Sequence, residues 1–226
     1  MTALTMYCIF TPFVAAIISA FLGKYEKLRN FIVILATFIS LGLSVLIAQS
    51  PARIVCFASL NFQIGVLIMI EKVREYFKKF NIEDRIIEFD VSSATVELAA
   101  KALNTECGRI AKSMAFDLGN GKYSVIVMTG DVKIDNSKYK GEFHLKAKML
   151  PFLEVGEIVG HSAGGVCPFA LNDNVCVYLD ESLKKYETVF PACGSANSAA
   201  EFTYEELEKY SDKFVKWVDV TKLIEN

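Results

Sequence analysis

The sequence predicts an α+β domain preceded by two or three transmembrane helices, and three observations carry that expectation. Charge is distributed abruptly, because residues 1–70 hold only five charged side chains: Lys24, Glu26, Lys27, Arg29 and Arg53. Within 71–226, short apolar runs of strand character are interleaved with short helix-like stretches, without a regular β-α alternation. An Asn-Gly pair at 120–121 stands between two such runs and marks a hairpin.

The chain therefore divides into a hydrophobic membrane segment, 1–70, and a charged domain, 71–226. Spans are expected over about 4–23 and 31–50, each close to the ~20 apolar residues that cross a hydrocarbon core. The link between them carries Lys24, Lys27 and Arg29 against Glu26, which puts it on the cytoplasmic side and the N-terminus outside. A third run, 54–70, contains Asn61 and Gln63 and is short. It is either a third span, favoured by Lys72, Arg74, Lys78 and Lys79 just after it, or an extracytoplasmic strand pair. A crossing there would leave the charged domain in the cytoplasm.

In the charged domain, Val73, Tyr76, Phe77 and Phe80 fall at helical spacing. Arg85–Phe89 reads as a strand, and Ser93 or Thr95 caps a helix from Val96 to Leu103 that ends at Asn104. Ile110–Phe116 and Tyr123–Met128 are the hairpin strands. A loop over 130–141 and a basic stretch over 144–148 follow. Val175–Leu179 and Thr188–Phe190 are further strands, Thr203-x-x-Glu206 is a capping box for a helix to Tyr210, and Phe214–Val218 is a last strand.

The stretch with most chemical content is Val159 to Leu171, centred on Gly164-Gly165-Val166-Cys167-Pro168. Adjacent glycines open backbone geometry closed to other residues and let a ligand approach main-chain N–H groups, and Pro168 stiffens the exit. A second small-residue loop, Pro191 to Ser198, could close over a ligand. The six cysteines form no C-x-x-C pair and the only histidines are His144 and His161, a pattern that predicts no metal site and no cofactor, and fits a reducing compartment.

In order and spacing, Leu98-Ala99-Ala100-Lys101-Ala102-Leu103, Ile110-Ala111-Lys112-Ser113, the Gly-Gly-Val-Cys-Pro loop, Val177-Tyr178-Leu179-Asp180 and the Gly194-Ser195 loop with its following helix resemble the YbaK/ProX family. These are free-standing editing domains related to the insertion domain of bacterial prolyl-tRNA synthetase, and the resemblance covers nearly all of 71–226. It implies a mixed, mostly antiparallel sheet wrapped by short helices. The implied activity is hydrolysis, in trans, of the ester on a mischarged tRNA, typically alanine or cysteine on proline tRNA. The implied partners are the acceptor end of that tRNA and prolyl-tRNA synthetase, with the membrane added through 1–70.

By the same resemblance, Lys112 and the loop Gly164, Gly165 and Val166 are the catalytic elements. His161, Cys167, Pro168, Asp180, Gly194 and Ser195 are substrate-binding candidates. Ester cleavage needs a positive or N–H-lined site for the oxygen that gains charge, which a lysine and a glycine loop can supply without a metal. Cys167 stands where many members have serine and His161 where many have tyrosine, so a Cys-His nucleophile pair is a competing expectation. Asp180 reads as a turn and hydrogen-bond acceptor rather than a base. A non-catalytic, membrane-tethered module that binds aminoacyl-tRNA or an amino acid is the alternative function.

Residues 1–60 also faintly resemble the start of an antiporter-like subunit of the complex I and membrane-hydrogenase group. The resemblance stops before any proton-pathway residue. An unrelated fragment joined to the domain, with Met69 a natural alternative start, is therefore a second reading of 1–70. Removing the five charged side chains of 1–70 from the 24 Lys and Arg and 26 Asp and Glu of the chain leaves 20 against 25, a net charge of −5 for 71–226. That balance argues against broad nucleic-acid affinity and for contact confined to a local basic face, for which Lys133, Lys138, Lys140, Lys146 and Lys148 are candidates.

Overall fold

Ten strands and five helices follow one another in a computed structural model that describes residues 69–224. The expected spans at 4–23 and 31–50 lie outside the described residues, as does nearly all of 54–70. No helix among the described residues is long and apolar enough to cross a membrane.

Helix α1 covers 69–78, and its Val73 and Phe77 are fully buried. A 3-10 turn at Glu83–Arg85 leads to β1 (Ile87–Glu88), so the strand expected over Arg85–Phe89 is reduced to two residues. Helix α2 (Val96–Ala102) starts at Thr95, whose hydroxyl accepts the N–H of Leu98 at 3.3 Å. Its chain then turns at Asn104 with φ of 51°. Strands β2 (Ile110–Gly119) and β3 (Lys122–Thr129) pair antiparallel. Asn120 and Gly121 form their two-residue turn with φ of 54° and 70°, the doubly positive geometry for which Asn-Gly is suited.

The segment 130–160, whose residues 130–141 are expected as a loop and 144–148 as a basic stretch, is more ordered than expected. It holds β4 (Val132–Ile134), α3 (Asn136–Phe143) and α4 (Phe152–Val159). Asp135 caps α3 by accepting from Ser137 and Lys138, and Gly160 ends α4 at φ of 92°. Strand β5 (Val175–Asp180), β6 (Thr188–Pro191), β7 (Ser198–Ala199), β8 (Phe202–Thr203), α5 (Tyr204–Tyr210), β9 (Phe214–Val218) and β10 (Thr221–Leu223) complete the order. The capping box of α5 is present: Thr203 Oγ1 accepts from Glu206 N–H and Glu206 Oε2 accepts from Thr203 N–H, both at 3.2 Å.

The main sheet runs β8-β6-β2-β3-β5-β9. It is mixed, and the expectation of a mostly antiparallel sheet needs correcting here: β2-β6, β3-β5 and β5-β9 are parallel, and only β2-β3 and β6-β8 are antiparallel. Parallel neighbours need long crossovers, and the helices found between β3 and β5 supply one. The two small ladders, β1-β7 and β10-β4, are antiparallel.

Alternation along β2 and β3 sends side chains to two cores. On one face, Ala111, Ala115, Val125 and Val127 pack with α1, α4 and α5 around Phe77, Phe169 and Phe202. On the other, Phe116, Ile126 and Met128 pack against Tyr139 of α3 and Val218 and Val220. Residue 112 falls on the second face, near the start of β2, where Ile110 packs on Ala99 and Ala100 of α2.

Candidate active site

A pocket of about 340 Å3 opens where the start of β2 meets β6, α2 and the two glycine loops. Lys112, Gly164 and Val166 line it together, as do Ser93, Ser113 and Ser198. Much of the remaining wall is small: Ala94, Ala99, Ala111, Ala192 and Ala199.

Lys112 is half-buried. Its Nζ donates to the carbonyl oxygens of Gly130, at 3.3 Å, and Val132. An ammonium has three donors, so two are held by main chain and one remains for an oxygen in the pocket. Burial pushes its pKa down from the ordinary lysine value, while the carboxylates of Asp131 and then Glu97 work in the opposite direction. The carbonyl of Gly130 reaches this position because residue 130 has no side chain: a Cβ there would lie 2.2 Å from Cys107 O and 2.5 Å from Val96 Cγ1.

The first glycine loop is a β-turn, Ser162–Gly165, closed by Gly165 N–H donating to Ser162 O at 2.9 Å. Gly164 occupies its third position at φ of 90°, the left-handed region that glycine enters without strain. Gly165 is buried against the second loop, where a Cβ would stand 2.7 Å from the N, Cα and C atoms of Ser195. The N–H groups of Gly164 and Val166 have no hydrogen-bond acceptor among the described residues. Both residues line the pocket, so these are candidate main-chain donors to a ligand.

The other residues singled out in the sequence do not line the pocket. Ser195 stands behind it, fully buried, with Oγ 2.8 Å from Asn197 Oδ1 and 2.7 Å from the Oγ of the lining residue Ser198. Gly194, at φ of 86°, gives room to α1, since a Cβ would meet Met69 O at 2.7 Å. Pro168 is buried and its carbonyl accepts from Asp212 N–H at 2.7 Å. Asp180 is a buried tie at the C-terminal end of β5, two strands across the sheet from Lys112: its carboxylate accepts from Ser182 N–H, Val220 N–H and Thr221 Oγ1 at 2.8–3.0 Å.

Cys167 and His161 are brought together but not as a nucleophile and base. His161 Nε2 lies 2.6 Å from Phe169 O and 3.5 Å from Cys167 Sγ. A carbonyl only accepts, so Nε2 carries the proton and cannot take one from the thiol. The unprotonated Nδ1 is buried without a partner among the described residues. Complete burial pushes the Cys167 thiol up to about 12, and burial brings His161 down to about 4. Both side chains belong to the core beneath the loop.

The wall also holds Ala192 and Ser198, from the small-residue loop expected to close over a ligand, and Ser93, Ser113 and Phe190, for which no role at a site is legible in the sequence. Ser113 Oγ is buried without a partner among the described residues. Phe190 arrives through a parallel pairing with Ile110, eighty residues away in sequence, for which no local signal exists. No group of His, Cys, Asp or Glu side chains that could hold a metal ion occurs among the described residues.

An α+β fold carrying a lysine-bearing strand and two interlocked glycine loops around one pocket defines the class, and the chain belongs to the aminoacyl-tRNA editing domain family, whose model matches residues 91–210. Its likeness to YbaK-type editing domains holds at the level of relatives as well. Uncharacterized protein YwhH of Bacillus subtilis (strain 168) is 49% identical over 153 residues, covering 68% of this chain and 97% of that protein. A solved structure described as a candidate trans-editing enzyme for prolyl tRNA synthetase superimposes with a TM-score of 0.61 at 25% identity, over 68% of this chain and 97% of the other. The hypothetical protein APE2540 matches with a TM-score of 0.56 at 25% identity, over 65% and 99%.

Proposed function

We propose that this protein hydrolyses, in trans, the ester that joins a wrongly attached amino acid to the terminal adenosine of a tRNA, with alanine or cysteine on proline tRNA as its substrates. The observation that carries the reading is a convergence: the Lys112 ammonium and the main chain of Gly164 and Val166 border one pocket of about 340 Å3. The third donor of Lys112 and the spare N–H groups of the loop suit the carbonyl oxygen as it gains negative charge, where one preorganised donor contributes roughly 10²–10³ in rate. Water adds to the carbonyl carbon, the bond to the ribose oxygen breaks, and that oxygen leaves with a proton. The products are a free amino acid and an uncharged tRNA.

The alanine-rich wall supports a small aminoacyl side chain. Prolyl-tRNA synthetase, which would produce the mischarged species, is the protein partner this substrate implies, and the cytoplasm is where such a substrate would be met. Among the described residues no Asp, Glu, His or Cys lines the pocket, so the attacking water would be activated by solvent or by the substrate's own amino or ribose hydroxyl group. The same observation favours the second reading, a module that binds aminoacyl-tRNA without turnover.

Deacylation of Ala-, Cys- and Ser-charged proline tRNA by the full chain separates the two. Turnover of one ester, reduced roughly 10²–10³-fold in Lys112→Ala without a change in melting temperature, supports editing. Binding of tRNA with all three esters intact transfers the assignment to the binding module.

A further inference from the structure

We propose that a second pocket, lined by Asn136, Ser137, Lys140, Lys146 and Ala147, binds a backbone phosphate of the tRNA whose terminal ester occupies the Lys112 pocket; this rests on the editing reading above. The pocket measures about 420 Å3 and lies between the first turns of α3 and the segment that returns beside it after His144. That return is set by the end of α3, where His144 adopts φ of 57° and its N–H donates to Lys140 O at 2.9 Å.

What sets the cavity apart is that two lysines line it together. Neighbouring lysines are neutralised: Lys138 by Asp219 and Lys148 by Asp117, both at 2.7 Å, Lys222 by Asp135 at 3.2 Å, and Lys216 by Glu142. Lys140 and Lys146 have no carboxylate partner among the described residues, and no acidic side chain lines the cavity they share. An anion at this cavity would meet two lysines and no lining carboxylate, a favourable balance in a domain of net acidic charge. Asn136 and Ser137 add neutral hydrogen-bonding groups, the mixture that phosphate oxygens accept from.

Its location selects a nucleic-acid phosphate over a free anion. Val132, whose carbonyl holds Lys112 Nζ, begins β4, and four residues later the chain has reached Asn136. Fully extended, four residues span at most about 14 Å. Lys140 lies one helical turn, about 6 Å, beyond Asn136, so its backbone is within about 20 Å of that of Val132, a separation that the nucleotides preceding a terminal ribose ester at Lys112 can span. This also reconciles tRNA binding with the acidic balance, since the contact is confined to one cavity beside the site.

The test is binding of uncharged tRNA to the full chain at several salt concentrations, with wild type, Lys140→Ala/Lys146→Ala and Lys140→Arg/Lys146→Arg. The alanine pair should bind more weakly and lower the slope of log K against log salt by roughly 0.7, the value for one single-strand phosphate contact, and the arginine pair should restore it. Turnover of a substrate truncated to the terminal aminoacyl-adenosine should not change. An unchanged slope in the alanine pair, with Lys112-dependent deacylation intact, overturns the phosphate pocket and leaves editing standing. Failure of wild type to bind tRNA at about 50 mM salt overturns both.

Discussion

Gly165 lies against Ser195 so closely that the two glycine loops interlock main chain to main chain, with room for a hydrogen but not a methyl group: a Cβ would come within 2.7 Å of three Ser195 backbone atoms. Gly165→Ala must push the loops apart, and overpacking of this kind typically costs about 1–3 kcal/mol. The expected result is a lower denaturation midpoint together with a larger loss in kcat/KM than the unfolded fraction explains. Wild-type kcat/KM in the folded variant would show that loop contact does not set the pocket.

Gly130 positions Lys112 from the other side. Gly130→Ala places a methyl group against Cys107 O and Val96 Cγ1, both under 3 Å from the ideal Cβ. Both loop and ammonium must move, since Gly130 O is one of the two acceptors that Lys112 Nζ has. Turnover should fall by at least tenfold with tRNA binding retained, a split measured by comparing kcat with the dissociation constant. Equal losses in both would mean that only general stability was affected.

Cys167→Ala should retain turnover. The thiol is fully buried, its pKa is pushed up to about 12, and the histidine beside it donates to Phe169 O rather than serving as a base. A stability loss of about 1–2 kcal/mol from the lost packing is expected, and iodoacetamide should leave Cys167 unmodified in the native protein. Abolished turnover in a folded Cys167→Ala protein would restore the Cys-His expectation.

His161 makes stability fall with pH in a defined window. Burial is the main cause of its depressed folded value, about 4, against 6.5 for the free side chain, and the bond to Phe169 O opposes it only in part. The unfolded chain therefore takes up its proton first as pH falls. Stability is complete above about pH 6.5 and declines as pH drops towards 4, by roughly 2 kcal/mol between pH 7.5 and 5. Urea denaturation at those two pH values, with wild type and His161→Asn, measures the difference. An equal decline in both proteins would assign it to other groups.

Elements written in local chemistry were legible. The Asn120-Gly121 turn, the Thr95 cap and the Thr203–Glu206 capping box each depend on residues a few positions apart, and each occurs where expected. Helices α3 and α4 were missed because their apolar pattern is sparse or misleading. Tyr139 is the one buried residue of α3. Phe152 and Leu153 of α4 are 75% and 91% exposed while Val155 and Val159 face the core, so hydrophobicity alone does not mark the buried side. Pro151 before α4 and Gly160 after it were the readable signals.

The sequence by itself determined that Lys112 sits on a strand and that two glycine-containing loops exist, because strand propensity and positive-φ turns are local properties of the chain. Tertiary structure alone decided which of the candidate residues share a cavity. It placed Lys112, Gly164 and Val166 around one pocket, buried Cys167 and His161 beneath the loop, and kept Asp180 out of that pocket, two strands across the sheet from Lys112. Those outcomes follow from strand order and register, and the parallel pairings that set them join residues about fifty to eighty positions apart in sequence, with nothing in the intervening segments to announce them.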